Sequence, residues 1–427
     1  MRELLIEGFR AAVATADPRS IIGPQLPPPP RGGRTLVVGA GKAAGSMALA
    51  VERHWPKDAP LQGVAITRYR HALPTGRIRV IEAGHPLPDA AGEAGAREIL
   101  DSVRSLGAND LLLALVSGGG SSLLALPAEG LSMAELRSVT SQLLACGATI
   151  QEINVVRKHL SAILGGRLAA SCKAPVLALI VSDVTGDDPT HIASGPCAQD
   201  PSTYRDAQEV LERYEVRPPA AIAEHLARGA RGGIDETPKP GDARLARVEN
   251  RVIATAHRSL EAAAQTFRAR GIRPFVLGDT VTGEAREVAK VMAALAREAR
   301  RSSVASDGEL APPLAMISGG ECTVTVRNTA GRGGRCAEFL LALALELDGL
   351  PGVHAIAADT DGIDGSEDNA GALVAPDTLA RAAKLGLSPR KLLAANDSYR
   401  LFHALGDLLV TGPTLTNVND YRAIVVH

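Results

Sequence analysis

Short apolar runs without in/out alternation constrain this chain more than any other feature. "TLVVGA" (35–40), "GVAIT" (63–67), "IRVIEA" (78–83), "LLLALVS" (111–117) and "VLALIVSDV" (176–184) alternate with longer stretches of helical periodicity. A strand apolar at every position is covered on both faces, as in a parallel sheet flanked by helices. The expected class is therefore α/β, with a Rossmann-like doubly wound parallel sheet. A second series follows in "RVIATA", "PFVLGD", "LAMISGGE", "CTVTV", "HAIAAD" and "LLVTG". With 427 residues, 45% of them hydrophobic, the chain exceeds what one core usually holds, so two domains are expected. Apolar periodicity fades over 228–245, where Gly, Pro and charges take over. The expected division is 1–236, the Rossmann-like N-terminal domain, and 237–427, a smaller mixed α/β C-terminal domain. The polar stretch 300–313 reads as a flexible loop or a sub-boundary.

Charge and cysteine content remove several function classes. A formal net charge of −1 gives no field suited to nucleic acid or an anionic membrane surface. The apolar runs fall short of the ~20 residues of a membrane span, and the N-terminus reads as an amphipathic helix rather than a leader. Cys146, Cys172, Cys197, Cys322 and Cys336 are odd in number and scattered, which fits reduced thiols and no thiolate zinc site. A cytoplasmic protein with no nucleic-acid or membrane partner is expected. The oligomeric state, a homodimer included, is left open.

The loops at the strand ends hold the chemistry, since ligands of open α/β sheets gather at the carboxyl ends of strands. "VVGAGKAAGSM" gives Gly39 and Gly41, but Gly45 arrives one residue late for a dinucleotide fingerprint, and Ala43 breaks the P-loop order. What remains is a helix start carrying a cation, Lys42, unfavourable at the positive end of a helix unless an anion sits beside it. "VSGGGSSLL" places Ser117, Gly118, Gly119, Gly120, Ser121 and Ser122 after a strand, where small residues let backbone approach a phosphate. "ISGGECTV" repeats the device with Ser318, Gly319, Gly320 and Glu321. Asp183 opens one acidic strand-exit loop with Asp187 and Asp188; Asp359, Asp361 and Asp364 form another, and hard oxygen ligands there suit Mg²⁺. "GRGGRCAEF" adds Arg332 and Arg335 beside a helix start. Anion donors, metal carboxylates and guanidinium groups together suit phosphoryl transfer. His159 and His191 read as hydrogen-bonded structural residues.

Taken in order, "VVGAGKAAGSM", "VSGGGSSLL", "INVVRKHLSAILGGRLA", "SDVTGDDPTHIASGP", "SGGECTV", "GRGGR", "DTDGIDG" and "LLVTGPTLTNVND" resemble the glycerate 2-kinase family, whose C-terminal part is the MOFRL domain. Here that region is expected at about 312–427. The resemblance implies ATP-dependent phosphorylation of D-glycerate at its 2-hydroxyl, giving 2-phosphoglycerate and ADP with Mg²⁺. It also implies two α/β domains with the active site in the cleft between them. Carried over, Lys42 is implicated in transfer, and Asp183, Glu321, Arg332 or Arg335, Asp361, Asn417 and Asn419 line the cleft. Asp361 and Asp359 are the expected metal ligands, and Arg332 or Arg335 the expected clamp on the glycerate carboxylate. Where similar proteins continue "GGR" with Asn-Gln-Glu, this chain has Cys336, Ala337 and Glu338. The alternatives are an NAD(P)H-dependent hydroxypyruvate reductase and a non-catalytic nucleotide-binding protein.

Overall fold

The computed structural model describes residues 1–302 and 312–427; most of the polar stretch at 300–313 lies outside the described residues. The chain divides into two units, Pro18–Ile253 and a second made of Met1–Asp17 with Ala254–His427.

Pro18–Ile253 is built on a sheet of β1 (Thr35–Ala40), β2 (Leu61–Arg68), β3 (Ile78–Ala83), β4 (Leu111–Ser117), β5 (Val176–Val181) and β6 (Val248–Ala254). The spatial order is β3-β2-β1-β4-β5-β6, and β1 to β5 pair in parallel. All residues of β1 and β5 are buried, which is why these strands lack alternation. Strand order reverses between β1 and β4, so a crevice is expected at their carboxyl ends, as in doubly wound sheets generally.

Two boundaries differ from expectation. "RVIATA" belongs mostly to β6, an edge strand of the first sheet rather than the start of the second series. The adjoining backbone is tied in where the Val176 N–H donates to the Arg247 carbonyl at 2.9 Å. At the other end, the helix Arg2–Thr15 packs in the unit formed by the C-terminal half. Its apolar stripe sets Leu5 and Phe9 among Leu260, Phe267 and Tyr421, and a buried side chain of that size contributes about 1.5–3 kcal/mol.

The second unit contains β7 (Arg273–Gly278), β8 (Gly283–Glu284), β9 (Leu314–Ser318), β10 (Cys322–Thr323), β11 (Val353–Asp359), β12 (Gly371–Val374), β13 (Leu408–Leu409) and β14 (Asp420–Val426). Its main sheet runs β13-β12-β11-β14-β9-β7, with β8 and β10 forming a short pair of their own. Pairing is antiparallel except for β7 with β9, so this sheet is mixed, as expected. The helix Arg335–Leu347 covers one face with Phe339, Leu340 and Leu343, and the Arg2–Thr15 and Ala256–Arg268 helices contribute to the core on the other. Among the described residues, no helix is long and apolar enough to cross a membrane.

Candidate functional site

The loops leaving β1 and β4 interlock at the point where strand order reverses. The Lys42 N–H donates to the Gly118 carbonyl at 2.8 Å, and the Ala43 N–H donates to Ser117 Oγ at 3.0 Å. Thr67 Oγ1 donates to the Lys42 carbonyl at 3.3 Å, so the backbone beside the lysine is fixed from both sides. Gly41 has φ +134°, and a Cβ there would lie 2.1 Å from Ser117 Oγ; only glycine lets the two loops close on each other. Gly119 has φ +78°, and a Cβ there would stand 2.7 Å from His85 Nε2 and 3.4 Å from Lys42 Cγ. Lys42, His85 and the glycine-rich turn therefore share one small space just before the helix Ala44–His54.

The glycine-rich turn is braced from behind. Ser122 Oγ donates to the Gly119 carbonyl at 3.1 Å. Ser121 Oγ hydrogen-bonds Ser194 Oγ at 2.8 Å, and Ser194 Oγ donates to Asn154 Oδ1 at 2.9 Å. Ser194 and its neighbour Ala193 sit at φ +56° and +50°, a strained pair of the kind that collects at functional sites. A Cβ on Gly120 would come 2.5 Å from that of Ala193, so the two loops are in close contact. Asp183 follows β5 in the same unit and is partly exposed. His159, fully buried, has Nδ1 2.8 Å from the Val155 carbonyl and Nε2 3.3 Å from Glu236, which bears out its structural reading.

In the other unit the carboxylates and Arg335 form one charge cluster. Antiparallel register sets Asp359 of β11 directly opposite Asp420 of β14, both nearly inaccessible to solvent. Like charges facing each other across a ladder repel. Arg335 lies between them, with Nη2 donating to Asp359 Oδ2 at 2.7 Å, Nε donating to Asp420 Oδ1 at 2.9 Å and Nη1 3.1 Å from Glu321 Oε1. Burial lowers the Arg335 pKa, but Asp420, Asp359 and Glu321 outweigh it and hold the guanidinium well above its usual range. Asp420 also accepts from Arg422 at 2.9 Å, and Arg422 donates to the carbonyls of Gly319 and Gly320 at 2.9 and 3.1 Å. The second Ser-Gly-Gly turn is thus anchored inward. Its Gly319 N–H donates to the Gly278 carbonyl, and Ser318 is buried.

Arg332 does not join this cluster. It is half exposed, pairs with Glu367 and lies 4.4 Å over the Tyr399 ring. The expected carboxylate clamp therefore has a competitor at either arginine, since Arg332 and Arg335 both hold protein carboxylates already. Asn417 and Asn419 are buried just before β14, where the Asn419 carbonyl accepts from the Thr360 N–H at 3.1 Å. The Cys336 and Ala337 side chains are wholly within the core, while their N–H groups donate to Asp364 at 3.0 and 2.8 Å. Burial pushes the Asp364 carboxyl up to about 7 despite those two amides. Glu338 is likewise internal, paired with Arg286 at 2.6 Å.

For a metal the donor set is sparse. Asp359 has one oxygen on Arg335 and the other on the Asp361 N–H, so it does not fit the expected ligand role. Asp361 is a buried strand-end carboxylate with Oδ1 held by the Ile363 N–H at 2.8 Å. Among the described residues, no group of three or more His, Cys, Asp or Glu side chains is placed to hold a metal ion. One carboxylate suits a cation that keeps most of its ligands as water and phosphate, not a closed protein cage.

Asp420, Arg422, Asn154, Ser194 and His85 are absent from the sequence-based site. Asp420, Asn154 and Ser194 all lie inside quoted motifs, but only the folded chain shows which face of each motif is used.

Comparison with known proteins agrees with this architecture. Residues 4–227 match a domain of unknown function, DUF4147, and residues 314–420 match the MOFRL family. A protein of Agrobacterium vitis bearing the provisional name hydroxypyruvate reductase is 50% identical over 100% of this chain and 94% of its own. The glycerate 2-kinase of Pyrococcus horikoshii is 38% identical over 92% of this chain and 88% of its own. The crystal structure of the Thermotoga maritima glycerate kinase superposes with a TM-score of 0.86 at 36% identity, covering 100% of this chain and 99% of that one. The chain belongs to the glycerate 2-kinase family, in which a DUF4147 region is joined to a MOFRL region.

Proposed function

We propose that this protein transfers the γ-phosphoryl group of ATP to the 2-hydroxyl of D-glycerate, giving 2-phosphoglycerate and ADP in the cytoplasm. The observation that supports this most is the interlocked pair of loops at the strand-order reversal, which fixes Lys42 beside a glycine-rich turn. Phosphoryl transfer asks a protein mainly for positioning and for charge aimed at the transferring group. Lys42 answers the second need as a compact cation at a helix start, where phosphate oxygens are favoured. The glycine-rich turn answers the first. In the step itself the glycerate oxygen bonds to phosphorus, the bond to the ADP oxygen breaks, and the hydroxyl proton passes to a carboxylate. Asp183 is our candidate acceptor, because Asp359 is engaged by Arg335. Mg²⁺ would enter with the nucleotide and supply charge neutralisation, with Asp361 the protein carboxylate that suits it.

Coupling the reaction to enolase tests the regiochemistry. Signal with ATP, Mg²⁺ and D-glycerate alone is expected; signal that requires added phosphoglycerate mutase would mean phosphorylation at the 3-hydroxyl. The Agrobacterium relative's name keeps hydroxypyruvate reduction as a second reading, and oxidation of NADH by hydroxypyruvate would favour it. The loop after β1 speaks against that, because its third glycine is misplaced for a dinucleotide.

A further inference from the structure

Outside the loops already described, one cation stands in an unusual setting. Arg157, on the helix Ile150–His159, is partly buried at a cavity of about 30 Å³. Ser121 and Ser122 of the glycine-rich turn line the same cavity, and Val139, Leu143 and Leu160 contribute apolar wall. Among the described residues no carboxylate pairs with Arg157; its Nη1 donates a long hydrogen bond to Asn154 Oδ1 at 3.5 Å. Burial alone pushes its pKa down to about 10, with no anion to hold it up. A guanidinium keeps its proton in a protein, so burying this one without an anion beside it is costly. Most other arginines in a comparable setting are compensated: Arg335 by three carboxylates, and Arg422 by Asp420.

We propose that Arg157 binds the carboxylate of the three-carbon acid substrate, with Ser121 and Ser122 at the polar end of the same pocket. The inference rests on the kinase reading above and gives that reaction a specificity residue. Three features favour a carboxylate over a nucleotide phosphate. The cavity is small and its walls are mostly apolar, whereas a triphosphate needs an open surface and several donors. A single fork matches a single carboxylate bidentately. Through Asn154 and Ser194, Arg157 is also linked by hydrogen bonds to Ser121, so an acid held there is held in register with the loop that carries Lys42's partner, Gly118.

The test compares wild type with Arg157→Lys and Arg157→Gln, using D-glycerate and the uncharged D-glyceramide as acceptors. Arg157→Gln is expected to raise KM for D-glycerate by about 10- to 100-fold, the scale of one charge-assisted hydrogen-bonded pair, with kcat and KM for ATP within about threefold. Arg157→Lys should fall between the two, because a point charge replaces a fork. The wild-type preference for glycerate over glyceramide should collapse in Arg157→Gln. An unchanged glycerate KM in both variants, or a rise confined to the ATP KM, overturns the assignment. A purely structural arginine would lower the folded fraction and kcat without moving the acid-to-amide ratio. If wild type forms no ADP, the kinase reading fails by itself. Calorimetric titration with D-glycerate then still judges the clamp: binding by wild type that is lost in Arg157→Gln supports it, and equal binding or none in wild type refutes it.

Discussion

Replacing Lys42 by alanine removes a charge while leaving in place the backbone bonds that shape its loop. Those bonds run from the Lys42 N–H to Gly118 and from Thr67 to the Lys42 carbonyl, and neither uses the side chain. Folding stability should therefore change by no more than about 1 kcal/mol, the range for a partly exposed charged side chain. The effect on catalysis is larger. An ammonium about 4 Å from a charge developing on a phosphoryl oxygen contributes about 4 kcal/mol at an effective dielectric near 20, equivalent to roughly 10³ in rate. We expect kcat/KM to fall by about 10²–10⁴, measured as ADP release coupled to NADH oxidation, with the melting temperature followed in parallel. Lys42→Arg should recover little, because the nearby Gly119 and His85 leave poor room for a planar fork. Near-normal turnover per folded molecule together with a large loss of stability would refute the reasoning and make Lys42 a structural residue.

Three further outcomes are expected. Arg335→Met removes the cation lying between Asp359 and Asp420 in a buried ladder and leaves Arg422 on Asp420 alone, so it should cost about 3–5 kcal/mol in urea unfolding; a loss under 1 kcal/mol would contradict the cluster. Asp361→Asn should lower activity by about 10²-fold or more and recover in part at high Mg²⁺, and an unaltered Mg²⁺ dependence would remove Asp361 from the metal's surroundings. Asp364 has a folded pKa of about 7 against an ordinary value of 3.8, so folding favours its protonated form. Its contribution is fully present below about pH 4 and is lost as pH rises through 7; unfolding free energies across pH 4.5–7.5 should show that decline in wild type and lose it in Asp364→Asn.

Much of the first sheet was legible because parallel strands buried on both faces announce themselves as continuous apolar runs. β14 was not, although it is just as buried. Its sequence, "DYRAIVV", opens with Asp420 and includes Arg422, and charges in a central strand read as loop until their partners are known. The same blindness hid the role of Arg335. A run such as "GRGGR" shows guanidinium groups near a helix start, but only the antiparallel register of Asp359 with Asp420 shows what one of them holds. Arg157 sat in plain view within "INVVRKHL", and what distinguishes it, the absence of a paired carboxylate among the described residues, is not a property a sequence displays.

The helix Arg2–Thr15 imposes an order on the birth of the molecule. Its partners Leu260, Phe267 and Tyr421 come after the whole of Pro18–Ile253, so during translation its apolar stripe must wait while the intervening unit is made. Domains generally fold as units, and the second unit cannot close until β14, a central strand of its sheet, has been made. The chain is in this sense nested, one unit inserted into the other. A fragment that begins at residue 254 would accordingly lose Leu5 and Phe9 from its core.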